Sequence, residues 1–170
     1  MSVFVYNRFV ALLALTALVG GLLLLVPPVR ARAGFLAPSR LWLAAVVALT
    51  STAGSLVYSE AFNFEPCRLC WYQRIAMYPL GLILAIAAWK RDWAVRRYVV
   101  PLGAVGAVIA AYHYALQTFP GLDSGACSVG VPCTAKYVNE FGFVSIPFMA
   151  FCGFLAVIGL VSLKGETDVG

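Results

Sequence analysis

The chain has 170 residues, of which 62% are apolar and 11% charged, and its mean hydropathy is +0.90. Ordinary soluble domains carry about 25% charged residues, so these values exclude a water-soluble domain, a disordered segment, a nucleic-acid-binding arm and a low-complexity fibre. An integral membrane protein remains, and its net charge of +5 falls mostly in short stretches between apolar runs, where lysine and arginine set membrane orientation.

In chain order, five uncharged runs predict transmembrane helices: Phe9 to Val26, Leu41 to Ser59, Ile75 to Trp89, Tyr98 to Phe119 and Phe141 to Leu163. A span needs about 20 residues, and four of the runs hold 18 to 23. The third is shorter and reaches that length by extending back through Trp71 and Tyr72, with Arg74 snorkelling at the boundary. The first run has a second reading as a signal peptide, because Ala31-Arg32-Ala33 resembles a small-residue cleavage site. Cleavage there would invert the following helices and put Cys67 and Cys70 in the cytoplasm, so a retained fifth helix is the expectation. Pro79, Pro101 and Pro147 are expected as kinks or first-turn residues, and Gly103 and Gly106 as points of close helix contact.

If five helices alternate, Arg30, Arg32, Arg40, Lys90, Arg91, Arg96, Arg97 and Lys164 share one side, which the positive-inside rule makes cytoplasmic. Arg8, Arg68, Arg74 and Lys136 share the other side with Glu60, Glu65, Asp123 and Glu140. The outward segments are then Glu60 to Gln73 and Pro120 to Glu140. They hold four of the five cysteines, as Cys67-Arg68-Leu69-Cys70 followed by Cys127 and Cys133. Disulfide chemistry persists outside the cytoplasm. A C-x-x-C pair closes too small a loop to stabilise much and has the usual spacing of a redox dithiol. A structural disulfide and a four-thiolate zinc site are the competing readings.

Cys70 lies where a helix enters the membrane, and the helix dipole together with Arg74, one turn on, is expected to favour its thiolate. Arg74 also reads as an ordinary snorkelling anchor. His113, the only histidine, sits about 9 Å below the outer end of the fourth run at 1.5 Å per residue, with Gln117 one turn further out. The two read either as packing groups or as polar partners of a lipid-soluble acceptor near the outer surface. Cys152 is expected to pack inside the last span, and Gly121, Gly125 and Gly130 to give the second loop its turns and mobility.

The string Tyr58-Ser59-Glu60, then Glu65-Pro66-Cys67-Arg68-Leu69-Cys70-Trp71-Tyr72-Gln73-Arg74, resembles the signature of the DsbB-type disulfide bond formation proteins. Tyr112-His113-Tyr114-Ala115-Leu116-Gln117 and Val131-Pro132-Cys133-Thr134, with Phe141-Gly142-Phe143 and Ile146-Pro147-Phe148 downstream, resemble the BdbC branch of that family. The likeness runs from about Leu41 to Leu163. It implies an all-α membrane protein with a four-helix transmembrane bundle of DsbB type over 41–163. Residues 1–40 would then add an N-terminal transmembrane helix and a cytoplasmic loop, and 164–170 a cytoplasmic tail.

The implied activity is that of a thiol–disulfide oxidoreductase in the bacterial inner membrane. It would reoxidise an extracytoplasmic DsbA-like thioredoxin-fold protein and pass the electrons to membrane quinone, ubiquinone or menaquinone, with no metal cofactor. By the same resemblance Cys70 engages the quinone ring, Arg74 stabilises the charge, and His113 and Gln117 lie near the quinone. Cys127 forms the mixed disulfide with the partner, and Cys133 links transiently to Cys67. The close spacing of Cys127 and Cys133 fits the BdbC branch, while the first apolar run is an addition to the four-helix pattern. Two other functions compete: a transmembrane thiol reductant conduit, and a zinc-binding membrane protein.

Overall fold

A computed structural model describes residues 2–122, 127 and 131–163. Asp123, Gly125, Gly130, Lys164 and the expected tail 164–170 lie outside the described residues, as does the side chain of Arg30. In lipid every backbone N–H and C=O must find its partner within the protein, so long apolar runs become helices. Among the described residues there are six α-helices: α1 (Val3–Leu25), α2 (Pro27–Arg32), α3 (Arg40–Leu56), α4 (Arg68–Lys90), α5 (Arg96–Thr118) and α6 (Ile146–Val161). A π-helical turn, Val57–Ala61, continues α3. Helices α1, α3 with its continuation, α4 and α5 are long and apolar enough to cross a membrane. The chain is a multi-pass helical membrane protein.

Two expectations about the elements need correction. The last span does not begin at Phe141. Phe141 and Gly142 have φ of 56° and 80°, Glu140 pairs with Val144 across this tight turn, and α6 starts only at Ile146, with Pro147 in its first turn. Its 16 residues rise about 24 Å at 1.5 Å each, so it is the shortest of the apolar helices. The stretch from Pro27 to Arg40 is not an irregular loop either. Pro27 and Pro28 open α2, where a missing N–H costs nothing, and a 3₁₀ segment follows over Ala33–Ser39. In the third run the helix reaches back beyond Trp71 to Arg68, while Pro79 and Pro101 lie inside α4 and α5.

Glycines set how closely the helices approach. A Cβ on Gly81 would meet Leu49 of α3, one on Gly103 would meet Ile158 of α6, and one on Gly153 would meet Ser51 of α3. Helix α1 lies against α6, where Gly21 faces the backbone of Ala156 and Gly159 faces that of Gly21. Arg8 near the start of α1 is 3.7 Å from Glu140, just before α6, so the two helices run parallel, as the first and fifth spans of an alternating bundle must. Exposed aromatic side chains mark both ends: Trp71, Tyr72, Phe119 and Tyr137 at one, and Trp42, Trp89 and Tyr98 at the other. Arg40, expected only as an orienting charge, is buried at the second end. Its guanidinium donates to the Leu163 carbonyl beyond the end of α6 and lies 4.3 Å from the centre of the Trp93 ring.

The tightest contact is at Gly106, where an added Cβ would stand 2.3 Å from ring carbons of the wholly buried Phe154. Gly106→Ala should therefore lower stability by about 1–3 kcal/mol through overpacking, seen as a lower thermal midpoint in detergent. Gly20→Ala, with no other atom within 4 Å of the new methyl, should leave the midpoint unchanged or raise it; equal losses at the two positions would contradict the packing described.

Candidate functional site

The site is built where the N-terminus of α4 meets α5 and the segment after Cys127. Cys67 is the N-cap of α4, with extended backbone at φ −70° and ψ 172°, so Cys70 falls in the first helical turn. Its sulfur lies 3.2 Å from that of Cys67. Cys127 and Cys133 form a disulfide with a Cα separation of 5.7 Å, and Cys133 sits in a turn closed by the Ala135 N–H donating to the Pro132 carbonyl. An aromatic stack ties the two cysteine segments together. Phe64 stacks on Tyr137 at 4.7 Å, and Tyr58 of the π turn stacks on Phe64 at 5.7 Å.

His113 of α5 is 1% exposed and stands at the centre. The Gln73 amide donates to its Nδ1 at 2.9 Å, which leaves the ring proton on Nε2. That nitrogen donates to the Cys133 carbonyl at 3.1 Å and lies 3.6 Å from Cys67 Sγ. The donor atoms of Cys67, His113 and Cys133 all fall within 4.8 Å of one another, so the Cys67 sulfur stands near the Cys133 end of the Cys127–Cys133 disulfide. Hydrogen bonding from the Cys70 thiol, and then from His113, holds Cys67 below the ordinary thiol range, outweighing the upward push of burial. A stabilised thiolate beside a disulfide sulfur is the arrangement that thiol–disulfide exchange requires.

The structure distributes the other expected site residues more widely. Gln117 donates to the Ala135 carbonyl at 2.9 Å, while its Oε1 is buried and has no partner among the described residues. Gln117, His113, Cys67 and Cys70 line a cavity of about 20 Å³, room for one water rather than a ring. Arg74, expected beside Cys70, sends its hydrogen bonds to α3: Nε to Ser55 Oγ and Nη2 to the Ser55 carbonyl, both at 3.0 Å. It also lies 5.3 Å from the centre of the Trp71 ring. Cys152 is fully buried in a separate apolar cluster with Tyr58 and Met149. Gly121 lies in a 3₁₀ turn over Pro120–Leu122.

Three contributors were not anticipated as site residues. Gln73 is buried and serves His113 directly; its signal is a polar side chain on the inward face of an apolar run, three residues after Cys70. Ser55 receives Arg74 and, at 3.3 Å, the Tyr78 hydroxyl. The Phe64–Tyr137 stack joins segments far apart in sequence and left no local signal.

Comparison with known proteins agrees with this chemistry. Residues 38–163 match the model of the family described as disulfide bond formation protein DsbB. The chain is similar to disulfide bond formation protein C of Bacillus subtilis (strain 168), with 50% identity over 123 residues, 71% of this chain and 89% of the relative. It is similar also to probable disulfide formation protein C 1 of Bacillus cereus, with 48% identity over 68% of this chain and 86% of the relative. Probable disulfide formation protein C of Halalkalibacterium halodurans is 50% identical over 66% of this chain and 82% of its own length. No solved structure matches. The chain belongs to the DsbB family of disulfide bond formation proteins and has the disulfide oxidoreductase role of that family; residues before 38, with α1, lie outside the match.

Because the site favours the deprotonated form of Cys67, its thiolate should form at a lower pH than an ordinary thiol. In a Cys152→Ser background with the first pair reduced, thiolate ultraviolet absorbance should rise first at one sulfur below the ordinary range. His113→Ala, which removes a hydrogen bond to that sulfur, should move this step to higher pH. An unshifted step would contradict the role given to His113.

Proposed function

We propose that this chain is the membrane oxidase of a disulfide-forming pair: it reoxidises an extracytoplasmic DsbA-like thioredoxin-fold protein and delivers the electrons to membrane quinone. The observation that carries the reading is the approach of Cys67 Sγ to Cys133, with all three donor atoms of Cys67, His113 and Cys133 within 4.8 Å. A purely structural pair of disulfides has no use for a stabilised thiolate aimed at a closed disulfide. The distribution of arginines supports a site facing outward from a bacterial cell membrane.

In the proposed cycle both pairs begin as disulfides. A thiolate of the partner attacks Cys127, forms a mixed disulfide and releases Cys133 as a thiolate. Cys133 attacks Cys67, breaking the Cys67–Cys70 bond and releasing the Cys70 thiolate. The partner's second thiol then displaces Cys127, and the partner leaves oxidised. Cys127 attacks Cys133, closing the second disulfide and freeing Cys67. Two electrons now rest on the Cys67–Cys70 dithiol, the redox state described above, with the second pair closed.

Quinone would supply the acceptor for those two electrons and two protons. The residues suited to hold it are Cys70, which is only partly buried, and Arg74, which borders the exposed Trp71 and Ile75. Ser55 and the Tyr78 hydroxyl add polar atoms at the same notch. His113 and Gln117, first read as quinone neighbours, are enclosed inside the bundle and are assigned to the sulfur relay: His113 steadies the Cys67 thiolate, and Gln117 anchors the Cys133 turn through Ala135.

The test is anaerobic. Fully reduced, metal-stripped protein in detergent is mixed with quinone, its absorbance is followed, and free thiols are counted by alkylation. The count should fall from five to one as two equivalents of quinone are consumed, leaving Cys152, and Cys70→Ser should abolish the reaction. Quinone that stays oxidised while every thiol remains alkylatable would overturn the assignment in favour of a reductant conduit or a metal protein.

A further inference from the structure

We propose that the fully reduced protein is a redox-gated trap for a soft divalent metal ion, with Cys67, Cys70, Cys133 and His113 forming a Cys₃His site of the zinc type. In a tetrahedral zinc site with Zn–S of about 2.3 Å and Zn–N of about 2.0 Å, neighbouring donor atoms stand about 3.5–3.8 Å apart. Cys67 Sγ is 3.6 Å from His113 Nε2 and 3.2 Å from Cys70 Sγ, and the Cys133 sulfur is within 4.8 Å of both Cys67 and His113. Cys67, His113 and Cys133 converge directly, and Cys70, in sulfur contact with Cys67 from the first turn of α4, is the fourth donor assigned to the site. No other group of three or more metal-donor side chains converges in this way among the described residues.

The surroundings suit a metal as well as the donors do. Cys67, Cys133 and His113 are buried, and the adjoining cavity of about 20 Å³ gives the ion a place to enter. A metal-bound imidazole is almost always oriented by a hydrogen bond to its other nitrogen, and Gln73 already occupies that position at 2.9 Å. On binding, Nε2 gives up its proton to become a ligand and the ring proton moves to Nδ1. The Gln73 amide then turns its oxygen to accept from that nitrogen.

Redox state controls the donor count. With Cys127 and Cys133 joined, Cys133 offers no thiolate and the set is incomplete; closing Cys67–Cys70 as well leaves His113 alone. Reduction of both pairs supplies three thiolates at once. Binding a divalent ion then displaces whatever protons remain on the three thiols and transfers no electrons. The bound metal would hold apart the sulfurs that must join for Cys67 to exchange with Cys133 or to reclose on Cys70, so it would stall the cycle proposed above. That consequence rests on the proposed cycle, whereas the site rests on the donor geometry alone.

Cobalt(II) serves as the probe on the full chain in detergent micelles, reduced with a phosphine and desalted anaerobically. The expected result is one tetrahedral cobalt per chain, with thiolate charge-transfer bands that zinc(II) bleaches, and no such bands when both disulfides are closed. Gln73→Leu should weaken binding about 10–100-fold, the usual effect of removing such an orienting group, and Gln73→Glu, which keeps an acceptor, should restore it. Cys67→Ser and His113→Ala should each lose the tetrahedral spectrum while retaining native helical circular dichroism, and Cys152→Ser should bind as the parent does. An octahedral spectrum without thiolate bands, equal binding by the oxidised protein, or unchanged binding by Cys67→Ser would overturn the site. Thiol oxidation by quinone, measured on the same metal-free preparation, separates that failure from failure of the proposed cycle.

Discussion

The geometry at the sulfur end depends on one buried imidazole. His113 is enclosed by protein, and leaving either ring nitrogen unmet there would cost about 1–3 kcal/mol. Its partners come from two other segments: Gln73 in the second turn of α4, and the carbonyl of Cys133 in the loop after α5. Satisfying the ring therefore fixes the start of α4 and that turn relative to α5, and the sulfurs of Cys67 and Cys133 are carried into range by the same constraint. Exchange chemistry and the proposed metal site are two consequences of this single convergence.

The rest of the bundle keeps that end in place from a distance. Gly106 admits the Phe154 ring between α5 and α6, and Gly153 admits Ser51 of α3, so α6 stays close to both neighbours although it is short. At the opposite end, Arg40 closes onto the Leu163 carbonyl. Helix α1 is outside the family match, yet it is joined to the site's scaffold. Tyr6 packs edge-on against Tyr58 at 5.2 Å, and Tyr58 supports Phe64 and through it Tyr137. The ion pair of Arg8 with Glu140 is exposed on the arginine side and adds little; glycine contact and aromatic packing hold this helix.

Much of this was legible in the sequence, for identifiable reasons. Uncharged runs of membrane length can only be helices, which gave the spans, and the C-x-x-C spacing with a second pair gave the sulfurs. The start of the last span was misjudged because apolar content already runs through Phe141 and Phe143, whereas Ser145 and Pro147 carried the helix-start signal. Helix α2 was missed although paired prolines commonly open helices. Arg74 was placed beside Cys70 by helical spacing, which fixes a shared face but not the direction of a long side chain; Ser55 on the neighbouring helix takes the guanidinium. Gln73 as the partner of His113 required knowing which faces of α4 and α5 meet, a tertiary fact that no local pattern encodes.

The most direct test of the convergence is to ask whether Cys67 and Cys133 bond when their own partners are removed. In the Cys70→Ser, Cys127→Ser double variant, mild oxidation followed by alkylation and peptide mass spectrometry should find a Cys67–Cys133 disulfide within one chain, with Cys152 left as a free thiol. If Cys67 and Cys133 both remain alkylatable, or link only between chains, the two sulfurs do not meet around His113 and the account of the site is wrong.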